Sequence, residues 1–369
     1  GKKYSEIEKC RISGSKNLVT VLSLGEQYLT GVFPKTENEE ITKGPLDLVW
    51  CPDSGLLQMK QSFDLDEMYG ENYGYRSGLN QSMVKHLQNK VNYLENLVTL
   101  NSGDIILDIG SNDSTMLQYY DNKYERVGVD PTGKQFKEYY DQVKLIPKYF
   151  SASNFKDVYE ERKCKIVSSI SMFYDLPDPV QFARDIYDIL DDDGIWTSEQ
   201  SYLVTMLNQN SFDTICHEHL EYYAIRQLKK IADMSNFKII DVKFNNCNGG
   251  SARVYFAKEG SVKYKECGEL LSRIINDEIK RFKILEESTY REFMKRCDNE
   301  MNKLVKLIDT INSNNKRVYV YGASTKGNCF LQYGNIDNKR IKYAVERNPN
   351  KIGKMTVTGI EIISEEKMR

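Results

Sequence analysis

A short buried-type run, Ile105-Ile-Leu-Asp108-Ile109, stops at Gly110-Ser-Asn112-Asp113, and a second, Val127-Gly-Val, stops at Asp130. Strand, glycine turn, helix, strand ending in an acid: this order constrains the fold more than anything else in the chain. Strands joined through a helix must run the same way, which predicts a parallel sheet with helices on both faces. Val143-Lys-Leu-Ile-Pro, Ile166-Val-Ser-Ser-Ile-Ser and Gly194-Ile-Trp-Thr-Ser-Glu199 continue the series as further strands. Gly110 lets backbone approach a ligand, and the helix start behind it favours polar or anionic groups. Asp130 stands where a carboxylate accepts both hydroxyls of an adenine-linked ribose. With one fixed glycine and no pyrophosphate to wrap, the turn suits S-adenosylmethionine (SAM) better than a dinucleotide. A purely structural turn is the competing reading.

The plan recurs near the end of the chain, where Val318-Tyr-Val-Tyr leads into Gly322-Ala-Ser324-Thr-Lys326-Gly and then Ile341-Lys-Tyr-Ala-Val-Glu346. Ser324, Thr325 and Lys326 at a helix N-terminus make a diphosphate seat, although the Walker spacing is absent. Leu79, Met83, Leu87, Val91, Leu94 and Leu97 fall at helical spacing, and a charged amphipathic stretch from about 260 to 313 reads as two packed helices. The first 70 or so residues are turn-rich, with knuckles Cys10-Arg-Ile-Ser13-Gly and Cys51-Pro-Asp-Ser54-Gly. Three domains are expected, over 1–72, 73–245 and 246–369.

Charge excludes some functions. Lys plus Arg number 51 and Asp plus Glu 53, a net charge of −2, which argues against a nucleic-acid partner. No apolar run is long enough to span a bilayer and no charged-then-apolar leader opens the chain, so no membrane partner is expected. The eight Cys are scattered rather than framework-spaced, as in a cytoplasmic protein. Tyr is abundant at 25 and His scarce at three, so chemistry needing a neutral-pH base has few candidates.

Two of those His share Cys216-His217-Glu218-His219. Position 221 is Glu, so the helical zinc spacing is missing. In extended backbone His217 and His219 face one way and Glu218 the other. One His as general base beside a carboxylate is chemically sensible, and a capping or core role is the alternative. His86, on the predicted helix, reads as a bystander. Asn248-Gly-Gly250-Ser-Ala-Arg253 is either an oxygen-binding loop or a hairpin turn. Glu71-Asn-Tyr73-Gly-Tyr75-Arg76-Ser77 either caps the following helix or supplies a phenol.

Taken in order, the Cys knuckles, Tyr73-Gly-Tyr75-Arg-Ser, Asp108-Ile-Gly-Ser-Asn-Asp, His217-Glu-His219, Gly249-Gly-Ser-x-Arg253 and Tyr-Gly322-Ala-x-x-Lys326-Gly resemble one family. It is the SAM-dependent nucleotide-sugar C-methyltransferases that act on keto-sugars. The resemblance implies an α/β architecture: a small N-terminal zinc-ribbon-like domain, a central Rossmann-like SAM methyltransferase sheet, and a C-terminal Rossmann-like domain for the nucleotide sugar. It implies a cofactor set of Asp108, Gly110, Asn112, Asp130 and Met172. It makes His219 the base, Glu218 its orienting carboxylate and Tyr75 the group holding the enolate oxygen. Tyr73, Glu199, Tyr202, His217, Arg253, Ser324 and Lys326 would line the site for a nucleotide-diphosphate sugar. No oligomeric state is implied.

Departures from the family pattern are informative. Its knuckles are Cys-x-x-Cys, whereas here Ser13 and Ser54 replace the second Cys of each, leaving Cys10 and Cys51 as the thiols. Ser stays protonated near neutral pH and is a poor zinc ligand, so zinc is expected to be absent or weak. Ser114 stands where the family has Gly, and a helix start is expected to tolerate it. Cys216 occupies a position that is Tyr in some members. The family continues with a further strand and helix beyond the point where this sequence stops, so a truncated C-terminal domain is expected.

Overall fold

The computed structural model describes residues 3–69, 76–79, 81–246 and 250–368. Its first strands are β1 (Tyr4–Glu6), β2 (Val19–Tyr28), β3 (Lys43–Trp50), β4 (Leu57–Met59) and β5 (Gln61–Phe63). β2, β3 and β4 pair antiparallel, and the two Cys knuckles form tight turns closed by Gly14 N–Cys10 O and Gly55 N–Cys51 O bonds.

The central series follows as β6 (Ile105–Ile109), β7 (Glu125–Val129), β8 (Lys144–Ile146), β9 (Cys164–Ile170) and β10 (Leu190–Ser201). Next come β11 (Glu221–Tyr222), β12 (Phe237–Asn245) and β13 (Ser251–Lys258). Seven of these strands form one sheet in the order β12-β13-β10-β9-β6-β7-β8. The order reverses between β6 and β9, which opens the crevice at the strand ends where α/β folds bind ligands. β6 to β10 are parallel, as the alternating pattern predicts. The expectation of a purely parallel sheet is corrected at the other edge, where β13 runs antiparallel to both β10 and β12. β12 and β13 are consecutive strands paired as a hairpin, and a hairpin reverses direction. The boundary expected at 245/246 therefore runs between two strands of one sheet.

Helix Gln81–Leu97 lies over the β6–β10 face. Met83, Leu87, Val91 and Leu94 bury against Ile106, Ile166, Ile195 and Tyr255, each side chain adding about 1.5–3 kcal/mol of burial. The stretch expected as two helices forms Gly268–Lys280 and Glu287–Ser313. The last layer is a parallel sheet of β14 (Val320–Tyr321), β15 (Tyr343–Glu346) and β16 (Glu361–Ser364), with helix Thr325–Tyr333 after the first strand. No helix among the described residues is long and apolar enough to cross a membrane.

The three layers interlock. β11, from the His-Glu-His segment, pairs with β4 and becomes a strand of the N-terminal sheet. Gln332 of helix Thr325–Tyr333 accepts from Tyr28 N at 2.7 Å and donates to Tyr28 O at 3.0 Å.

Candidate active site

At the end of β6 the chain turns through Gly110, whose φ of 74° lies in the left-handed region that glycine adopts without a Cβ clash. A Cβ there would sit 3.3 Å from Met172 Cγ, so Met172 packs directly on the turn. Gly110 N donates to Val129 O, and Asn112 N donates to Asp130 Oδ2 at 2.8 Å. Thr132 N and Thr132 Oγ1 donate to Asp130 Oδ1 at 2.8 and 2.7 Å. Asp130 thus spends three of its roughly four acceptor positions holding the turn. The expectation of a carboxylate given over to ribose meets one that is largely engaged within the turn. Asp108 accepts from Ser168 Oγ at 2.7 Å, and burial pushes its carboxyl up to about 7 against Ser168 and Lys90.

Ser114 is not cost-free. Its φ is 65°, which costs a non-glycine residue roughly 1–2 kcal/mol, partly offset by Ser114 Oγ donating to Tyr139 O at 2.7 Å. The next layer of the crevice is Arg76–Gly78. Arg76 Nε pairs with Asp113 Oδ2 at 3.1 Å, Gly78 N donates to the same oxygen, and Ser77 N donates to Asn112 Oδ1. Tyr73 and Tyr75 lie outside the described residues.

The His-Glu-His segment is a turn rather than extended backbone, so its three side chains diverge in a way the alternation argument does not give. His217 is fully buried, its Nε2 3.1 Å from Gly44 O and its ring 4.5 Å from Phe63, which makes it a contact to the N-terminal layer. Glu218 accepts from Thr30 N at 2.5 Å, Thr30 Oγ1 at 2.9 Å and Gly31 N at 3.0 Å. Its carboxylate is committed to the 30–31 backbone, so the expected orienting contact to His219 is corrected. Burial, then the Cys216 charge, pushes Glu218 up to about 7.

His219 Nδ1 lies 2.6 Å from Thr214 O. A carbonyl only accepts, so Nδ1 carries the hydrogen and Nε2 is the working nitrogen. The ring meets Tyr174 edge-on at 4.6 Å. Its electrostatic partner is Cys216. Burial opposes charge on both, yet contacts from Cys329, His219 and Thr30 hold the Cys216 thiol well below its usual range, and the thiolate pushes His219 up to about 10.

Other expected contacts are redistributed. Arg253 lies opposite Glu199 on adjacent strands and donates to its Oε1 through Nε at 3.0 Å, so it is taken up in the sheet rather than offered to a diphosphate. The Tyr202 hydroxyl donates to Glu278, burying its polar tip away from the crevice. Ser324 Oγ accepts from Gly327 N at 3.0 Å as a helix cap. Lys326 is the second residue of that helix, half-buried. Glu346 Oε2 accepts from Ala323 N at 2.6 Å, repeating the Asp130–Asn112 bond in the second sheet.

His86 is the residue the sequence reading missed. It is no bystander: its Nε2 lies 2.7 Å from Glu199 Oε2. The signal was present, because Lys90 falls three residues after Leu87 and four before Leu94, within the apolar stripe, with His86 four residues before it.

The knuckles bring Cys10, Ser13, Cys51 and Ser54 together in crossed pairs, Cys10 Sγ–Ser54 Oγ at 3.2 Å and Ser13 Oγ–Cys51 Sγ at 3.7 Å. The placement is that of a four-ligand site, but two donors are neutral hydroxyls that already bond the thiols. This donor set does not fit a structural zinc ion.

Models of known families match three successive parts of the chain. A model described as "Methyltransferase domain" matches residues 83–242, "C-methyltransferase C-terminal domain" matches 246–369, and "Putative zinc binding domain" matches 10–69. C-methyltransferase NovU of Streptomyces niveus is 28% identical over 354 residues, covering 95% of this chain and 83% of that protein. Among solved structures, YcgJ of Bacillus subtilis is 11% identical with a TM-score of 0.37, over 48% of this chain and 100% of that one. An S-adenosylmethionine-dependent methyltransferase of Clostridium acetobutylicum is likewise 11% identical with a TM-score of 0.37, over 48% of this chain and 92% of that one. The three family models follow one another along almost the whole chain. The chain belongs to the SAM-dependent C-methyltransferase family.

Proposed function

We propose that the enzyme methylates a carbon next to the ketone of a nucleotide-diphosphate-linked deoxysugar, through an enolate formed by a histidine base. The observation that carries this reading is the fixed tautomer of His219, with Nδ1–H on Thr214 O and Nε2 left to accept a proton. Proton exchange within the Cys216–His219 pair gives thiol and neutral imidazole, the form in which His219 is a base. His219 Nε2 takes the C–H proton, and the C–H electron pair becomes the enolate double bond. Bound SAM, for which the Gly110 turn, Asp108, Asn112 and Asp130 are the seat, supplies an activated methyl group. The carbon takes that methyl and the ketone re-forms. Orientation of the two reactants is the chain's main contribution.

The helix at Ser324–Lys326, with its N-terminus and lysine, supports a seat for the diphosphate. The scattered thiols support a cytoplasmic setting. A thermal-shift screen of thymidine-, uridine-, guanosine- and cytidine-diphosphate sugars with S-adenosylhomocysteine present identifies the nucleotide. Solvent-deuterium exchange at the carbon beside the ketone tests the enolate. Exchange by the wild type and its loss in His219→Ala, with SAM affinity retained, is the expected result. Methyl transfer to a hydroxyl or amine without exchange would overturn the reading.

A further inference from the structure

Enolisation of a ketone needs one group for the C–H proton and a second at the oxygen. His219 answers the first need. We propose that His86, oriented by Glu199, answers the second as an acid–base residue serving the ketone oxygen. This rests on the enolate reading above and adds a group to it.

The geometry is that of a carboxylate–imidazole pair. Glu199 is buried, with Oε2 2.7 Å from His86 Nε2 and Oε1 accepting from Asn245 Nδ2 at 2.9 Å and Arg253 Nε at 3.0 Å. Burial opposes its charge, but Lys90, His86 and Arg253 together hold it well below the usual carboxylate range. Arg253 Nη2, which only donates, also lies 3.3 Å from this nitrogen, but the closer contact is to a carboxylate oxygen, which only accepts, so His86 Nε2 carries a hydrogen and Nδ1 is the nitrogen left for chemistry. Nδ1 has no hydrogen-bond partner among the described residues, and the side chain is 14% exposed rather than sealed in the core. Such a carboxylate fixes the tautomer and stabilises the imidazolium when the other nitrogen is protonated.

The pair also stands in the right place. Ser171 N donates to Glu199 O at 2.7 Å, and Leu220 N, beside His219, donates to Tyr174 O at 2.8 Å. Segment 171–175, which carries Met172 against the Gly110 turn, is therefore fastened to Glu199 at one end and to the His219 loop at the other. Two imidazoles, each with one nitrogen fixed by an acceptor, flank the end of β9.

The steps balance. His219 Nε2 takes the C–H proton while protonated His86 gives its Nδ1 proton to the ketone oxygen, forming the enol. The enol carbon then takes the methyl group, the C–S electron pair leaves with sulfur, and the hydroxyl proton returns to His86 Nδ1. One proton stays on His219 and passes to solvent.

The test uses the full chain, the four nucleoside-diphospho-4-keto-6-deoxyhexoses (thymidine, uridine, guanosine, cytidine) and S-adenosylhomocysteine in deuterated water. Exchange beside the ketone is followed by NMR, methyl transfer in a parallel assay with SAM, and SAM affinity by calorimetry. His86→Gln keeps an N–H for Glu199 but has nothing at Nδ1. It is expected to lower exchange and transfer by about 100-fold or more with SAM affinity unchanged. His86→Asn, with an amide near Nδ1, should recover part of the loss. Glu199→Gln, which no longer offers His86 Nε2 a charged acceptor, should lower exchange and transfer while SAM affinity is kept. Full exchange in His86→Gln overturns the second imidazole and leaves His219 in place. So does a loss in both His86 variants that tracks lost SAM affinity, since that is a structural effect. A wild type that exchanges none of the four probes overturns the enolate reading and this proposal together.

Discussion

The hydroxyl of Thr30 and the carboxylate of Glu218 meet at 2.9 Å across 188 positions of sequence. Thr30 O accepts from Asn328 Nδ2 at 2.8 Å, so one residue of the N-terminal layer touches both the His-Glu-His turn and the C-terminal helix. The segment that carries the proposed base is thereby keyed to all three layers. Thr30→Ala removes one hydrogen bond to a buried carboxylate and should cost about 1–3 kcal/mol. Thermal unfolding should show a lowered Tm, and methyl transfer should fall more than SAM affinity, because the disturbance lies at the turn and not at Gly110. Equal losses in both would place the effect elsewhere.

Glu218 and Asp108 give the stability a pH dependence of definite sign. Burial raises each to about 7 in the folded chain. A raised carboxyl binds its proton more tightly when folded, so its contribution is full below the ordinary carboxylate range and is lost as pH rises through about 7. Denaturant unfolding between the ordinary carboxylate range and neutrality should show falling stability from these groups. Asp108→Asn should flatten that slope; an unchanged slope would mean the carboxyl is not raised.

Cys216 sets the working range of His219. Burial lowers the imidazole and the Cys216 thiolate, which raises it to about 10, wins. Cys216→Ser removes the thiolate and leaves burial opposed by the smaller effects of Asp175 and Thr214 O. The acidic limb of kcat/KM should therefore move to lower pH, with little change in SAM affinity. A limb that stays where it is in the variant would detach Cys216 from the base.

The knuckle residues predict a gain of function. Native protein should hold far less than one zinc per chain by elemental analysis after dialysis. Ser13→Cys with Ser54→Cys supplies four thiols at the observed crossed positions and should bind one. A native chain already holding one zinc would show that the hydroxyl pairs are displaced by metal.

Ordered apolar runs and the turns between them made the central sheet legible, because strand, glycine turn and helix are local and periodic. Gly110, Asn112 and Asp130 come together as local order implies, whereas Met172 reaches the turn from the end of β9. The antiparallel edge was less legible, since a glycine turn reads equally as a loop or a hairpin until β13 has a partner.

The amino-acid order by itself determined the nucleotide-type halves, the leading helix, the weakened zinc knuckles and the position of two of the three His. It could not decide what those side chains touch. His86 meets Glu199 over 113 positions and Glu218 meets Thr30 over 188. Such contacts depend on how layers stack, and no local periodicity encodes them. Tertiary structure turned Glu218 from an orienting carboxylate into an anchor, and His86 from a bystander into a paired imidazole. The physical reason is the same in both cases: a buried carboxylate must find donors, and the packed layers decide which donors are within reach.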